Sequence, residues 1–95
     1  MRIAFQAEVI FWHGPSPFLF APVPADISAT IKELSAQLSY GWGCIPVMAR
    51  LGETEWRTSL MPKDGVYLLP IKMAVQKNEG VAAGSLVRLA IDLGF

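Results

Sequence analysis

Few residues in this 95-residue chain have the types and spacing that chemistry needs. The most suggestive polar set is Arg57, Thr58, Ser59 and Lys72, a cation and two hydroxyls from one hairpin with a lysine from the first turn of a helix. Such a set can bind an anion or a small ligand, because a helix N-terminus offers free N–H groups and the positive end of its dipole. The same dipole opposes a lysine there, so Glu55 or Asp64 is the expected partner of Lys72 in a structural ion pair. Trp12, Trp42 and Trp56 form a possible aromatic surface, a stacking platform for bases with Arg50, Arg57 and Arg88 nearby, although barrel cores and end-caps use such rings equally well.

The remaining candidates fall away on inspection. His13 is the single histidine, so a histidine-based metal cluster is excluded, and Cys44 with His13 has no third group to orient it as a nucleophilic pair. Glu53 and Glu55 are two apart on a strand, as paired carboxylates for acid–base work would be, but beside Gly52 they read more simply as the polar edge of a hairpin. Gly41-Trp42-Gly43 opens like a dinucleotide fingerprint, yet Pro46 stands where the third glycine belongs and a strand follows. No catalytic residue, metal or cofactor is expected.

Composition sets the frame. A chain of this length buries about 60 to 65% of its unfolded surface, and 53% hydrophobic content fills one core without staples. Eight Lys and Arg against eight Asp and Glu leave no net field for nucleic acid or an anionic membrane, so a charged partner has to meet a local patch. The lone Cys44 forms no internal disulfide and points to a reducing, cytoplasmic setting with the thiol in the core. No uncharged apolar run reaches the ~18 residues of a membrane span. The N-terminal run is broken by Gln6, Glu8 and His13 and alternates like a strand, so it belongs to the fold and not to a secretory leader.

The pattern along the chain predicts six strands and two helices. Strands are expected over Arg2–Trp12, Phe18–Val23, Cys44–Leu51, Thr54–Leu60, Val66–Leu69 and Ser85–Leu93. Ile27, Ile31, Leu34 and Leu38 recur at helical spacing behind Asp26 as N-cap, and Tyr40-Gly41-Trp42-Gly43 stops that helix. Pro62-Lys63-Asp64-Gly65 reverses the chain, and a second helix runs from Ile71 to Glu79 with Pro70 in its first turn, Gly80 ending it and Val81 as the contact of a Schellman stop. Phe18 to Leu51, pivoting on Pro24 and Gly43, and Val66 to Leu93, pivoting on Pro70 and Gly84, have the same plan. Two such halves imply one barrel with a pseudo-two-fold axis.

Gly41-Trp42-Gly43 with Ile45-Pro46-Val47, then Trp56-Arg57-Thr58-Ser59-Leu60 with Pro62, then Leu69-Pro70 with Lys72 and Gly84 make the chain similar to a prokaryotic family known only as a domain of unknown function. The likeness spans almost the whole sequence. It implies the fold of the AbrB, MazE and MraZ class, a double-split β-barrel capped by helices, with both halves in one chain. The family commonly has a basic residue where Gln76 stands and an acid where Ser85 stands, so an inherited anion site at Gln76 is not expected.

The expected protein is therefore mainly β, a single six-stranded double-split barrel over residues 1–95 capped by two short α-helices. It acts as a small binding or interaction module for a small ligand or a protein, as a monomer or weak homodimer, with no membrane and little affinity for duplex DNA. The alternative is a nucleic-acid-binding regulator related to AbrB-type transcription factors.

Overall fold

The computed structural model describes residues 1–13, 18–35 and 43–94. Along these run seven strands, β1 (Arg2–Glu8), β2 (Ile10–Phe11), β3 (Leu19–Pro22), β4 (Ile45–Leu51), β5 (Thr54–Lys63), β6 (Val66–Pro70) and β7 (Leu86–Leu93), and two helices, α1 (Ala25–Leu34) and α2 (Met73–Glu79). Every pairing is antiparallel and the order is β1-β7-β4-β5-β6-β3-β2, a curled, half-barrel sheet. β1 and β2 stand at opposite ends of that order with Val9 alone between them, so the curl brings the two ends of the sheet together.

Two strand boundaries differ from the sequence pattern. The expected single strand over Arg2–Trp12 is cut at Val9, whose N–H donates to Ser85 O at 2.8 Å and whose carbonyl accepts from Gly84 N at 2.7 Å, which gives seven strands and not six. β5 does not stop at Leu60. It pairs with β4 through Leu60 and then with β6 over Met61–Lys63, carrying Pro62 opposite Tyr67. The reversal is left to Asp64 and Gly65, at φ 51° and 84°, a two-residue hairpin turn whose left-handed pair suits strand twist.

The helix starts are also displaced. Pro24, not Asp26, is the N-cap of α1, and Asp26 lies in the first turn, where its charge faces the positive end of the dipole. Pro70 is the last residue of β6, not the first turn of α2, and Lys72 is the N-cap. Gly80 ends α2 at φ 65° and Val81 N–H reaches back to Gln76 O at 3.0 Å, the Schellman stop that the sequence predicts. Leu38 and Tyr40-Gly41-Trp42 lie outside the described residues.

These corrections sharpen the repeat. Pro22 closes β3 as Pro70 closes β6, and each helix begins three residues later, so Pro22 and not Pro24 is the equivalent of Pro70. The N-caps then coincide in backbone conformation, Pro24 at φ −51°, ψ 148° and Lys72 at φ −61°, ψ 154°. Val23 N–H donates to Tyr67 O at 2.9 Å and, in the mirrored bond, Ile71 N–H donates to Leu19 O at 3.0 Å. Gly43 and Gly84, two residues before β4 and β7, have φ 81° and 90°. Exchanging β3 with β6, β4 with β7 and β1–β2 with β5 reproduces the same strand neighbours.

The inner face of the curl holds the core. Phe5, Val47, Ala49, Trp56, Leu60, Leu69, Leu89, Ile91 and Leu93 meet there, and Ile31 of α1 and Val75 of α2 close onto them. Cys44 precedes β4 and is half-buried, short of the full burial expected.

Candidate binding face

Side-chain alternation along β5 decides the fate of the polar set. Trp56 and Leu60 point inward and are buried, so Thr58 between them shares the inner face, opposite Val47. Arg57 and Ser59 project from the outer face, opposite Met48 and Pro46. Thr58 and Ser59 are thus on opposite sides of the sheet. Lys72 is exposed at the N-cap of α2. Among the described residues no carboxylate lies within ion-pair distance of Lys72; Asp64 pairs with Lys63 at 3.7 Å instead, and Glu55 is opposite Arg50.

Trp12 and Trp56 do not form one platform. Trp56 is buried, its indole N–H donating to Pro70 O at 3.0 Å. Trp12 is half-buried against Phe20 with Lys63 Nζ 4.6 Å from its ring centre, and Trp42 lies outside the described residues. His13 packs among Phe11 and Phe18, the two stacked rings of His13 and Phe18 being 6.2 Å apart. Glu53 sits in the turn after β4, leaving Glu55 on the strand. Among the described residues no three His, Cys, Asp or Glu side chains gather as metal ligands.

What the structure does collect is arginine. Strand register builds the outer face of β1, β7, β4 and β5 in rows: Arg2, Asp92, Met48 and Arg57 in the first, Ala4, Ala90, Arg50 and Glu55 in the second, Gln6 and Arg88 in the third. All four arginines of the sequence therefore share one exposed face, while Lys32, Lys63, Lys72 and Lys77 lie elsewhere on α1, the β5–β6 hairpin and α2. Among the described residues none of the four guanidiniums is within ion-pair distance of a carboxylate; Asp92 is taken by the N-terminal ammonium at 3.7 Å, and Arg50 Nε donates to the Gly52 carbonyl at 3.1 Å.

Where β7 ends and β4 runs on, the face dips into a trough of about 370 Å³. Pro46 and Met48 make its apolar wall, and Arg57 and Asp92 its charged rim. The arrangement can hold an anionic or amphipathic group by charge and apolar contact; it offers no nucleophile with a base beside it.

A family model described as a domain of unknown function, DUF1905, matches residues 5–91. The chain belongs to the DUF1905 family. No curated protein matches it. The DUF1905 match takes in Arg50, Arg57 and Arg88 and leaves Arg2 and Asp92 just outside. Among the described residues of this DUF1905 domain no helix is long and apolar enough to cross a membrane.

The sequence points to Arg57 and puts Arg50, Arg57 and Arg88 near the tryptophans, without showing that the arginines share a face. Each does stand at an outward position of its own strand pattern, and that signal was present. Which strands would lie side by side was not, and only the pairing of β7 with both β1 and β4 assembles the face.

Proposed function

We propose that this DUF1905 domain is a binding module with no catalysis of its own, and that its contact surface is the outer face of β1, β7, β4 and β5. One observation carries the reading: four arginines, each with five N–H donors in a fixed fork, share that face with no carboxylate partner among the described residues. Exposed guanidiniums without a carboxylate partner are open to an anionic one, and the planar fork loses less freedom per hydrogen bond formed than a lysine ammonium does.

The frame of the module is, in this proposal, the double-split barrel of the AbrB class. Counting β1, Val9 and β2 as one strand gives six strands in a ring, and the exchange symmetry of the order and the mirrored Val23–Tyr67 and Ile71–Leu19 bonds support it. The module works as a monomer or weak homodimer in a reducing, cytoplasmic setting, which the unpaired Cys44 suits. The alternative, a nucleic-acid-binding regulator, draws on the same arginines. It is the weaker reading because Glu55, Asp92 and Glu8 stand among them and the two described tryptophans, Trp12 and Trp56, are off the face.

Amide chemical-shift mapping with heparin as a generic polyanion tests the face. Shifts concentrated on β4, β5 and β7 are expected. Shifts confined to α1, α2 and the β5–β6 hairpin, where the lysines are, or no shifts at low salt, would overturn it.

A further inference from the structure

We infer that the outer face takes an extended acidic segment of another protein, laid diagonally across β5, β4 and β7 over Arg57, Arg50 and Arg88. The inference rests on the reading of this face as the contact surface. Arg57 is opposite Met48, and Arg50 is two residues further along β4; Arg50 is opposite Ala90, and Arg88 is two residues further along β7. Each step between guanidinium-bearing residues is therefore a diagonal cross-strand step of about 7–8 Å. In an extended chain, side chains on one side repeat every two residues, about 6.6–6.8 Å. Acidic residues at alternate positions thus meet the three arginines in order, each carboxylate accepting from a guanidinium fork.

The surroundings of the diagonal favour a peptide over a nucleic acid. Glu55 borders it on β5, Asp92 borders it on β7, and Glu8 follows beyond Arg88 on β1. A phosphodiester backbone repels all three, whereas a peptide offers them N–H groups or a basic side chain. Single-strand binders also stack bases on aromatic rings, and the rows of this face hold Ala4, Gln6, Met48 and Ala90 between the charges. The trough at Pro46 and Met48 adds room for one apolar side chain next to the acid that engages Arg57.

Fluorescence anisotropy at low salt with a labelled peptide of alternating glutamate and threonine is the test. Two comparison probes are a peptide of the same composition with its glutamates in one block, and a single-stranded oligonucleotide of equal charge. The alternating peptide is expected to bind about tenfold more tightly than the blocked one. The exposed triple variant Arg50→Ala, Arg57→Ala, Arg88→Ala, with an amide spectrum that confirms its fold, is expected to lose at least that tenfold. The Arg→Lys triple variant, which keeps charge but not the fork, is expected to fall between. Tighter binding of the oligonucleotide than of the alternating peptide, equal binding of the two peptides, or peptide binding that survives the alanine variant would overturn the inference. If heparin still maps to the face while the peptide does not bind, the partner assignment falls and the face stands. If neither binds, both fall.

Discussion

Ser28 and Gln76 occupy the same place in the two halves of the chain. Ser28 Oγ donates to Val23 O at 3.1 Å, and Gln76 Nε2 donates to Ile71 O at 2.8 Å, each from the fourth residue of its helix to the carbonyl five residues earlier. Their own N–H groups donate to the carbonyls of the N-caps, Pro24 and Lys72. The internal symmetry thus reaches the side chains, through two residues with no likeness in size.

Ser28 is the more costly of the two to remove. It is 2% exposed and also accepts from Tyr67 N–H at 3.1 Å, so Ser28→Ala leaves a buried donor and a buried acceptor short of partners. A loss of about 1–3 kcal/mol is expected in denaturant unfolding, against about 0.5–1.5 kcal/mol for the half-buried Gln76→Ala. A larger loss for Gln76→Ala would contradict the assignment.

Trp56 joins β5 to the end of β6 through a hydrogen bond as well as through packing. Trp56→Ala should cost about 3–5 kcal/mol by emptying the core beneath the curl. Trp56→Phe keeps most of the ring but strands the Pro70 carbonyl, for about 1–3 kcal/mol. An alanine variant within about 1 kcal/mol of the parent would show that the ring is not core.

Gly52 carries both a backbone and a steric demand. Its φ is 59°, and a Cβ there would clash with Glu79 Oε1, whose carboxylate is held by Thr54 Oγ1 at 2.6 Å. Gly52→Ala should cost about 1–3 kcal/mol. In a Glu79→Ala background the steric part disappears and the left-handed part remains, so a double-mutant cycle should show coupling. Additive losses would mean that α2 does not rest on the β4–β5 hairpin.

Duplex DNA should bind this domain with a dissociation constant weaker than about 10⁻⁴ M at physiological salt. The three arginines of the diagonal fall short of the six or more phosphate contacts that drive non-specific affinity, and the neighbouring acids offset them. Micromolar anisotropy with a steep salt slope would favour the regulator reading.

Much of the fold was legible because strand period and turn residues are local signals. The inward set Val87, Leu89, Ile91 and Leu93 and the stop at Gly80 needed only their neighbours in sequence. The cut at Val9 did not, because it comes from Gly84 and Ser85 pairing with that residue from the far end of the chain. Pro62 and Pro70 mark turns by local chemistry, yet Pro62 lies inside β5 and Pro70 closes β6 in register with Phe20. For the site, the period-two pattern of β5 already set Thr58 against Ser59, which grouping by residue type overlooked. The arginine face depends on strand neighbours and was beyond local reading.

Two triple variants matched in charge test the contact face most directly. Arg50→Ala, Arg57→Ala, Arg88→Ala and Lys32→Ala, Lys72→Ala, Lys77→Ala each remove three cations from a chain of formal net charge zero, so both stand at −3 and differ in the place and kind of the cations removed. Heparin affinity measured for both at low salt is predicted to fall at least about tenfold in the arginine variant and to change far less in the lysine variant. Equal losses, or a larger loss in the lysine variant, would contradict the assignment of the outer sheet face as the contact surface.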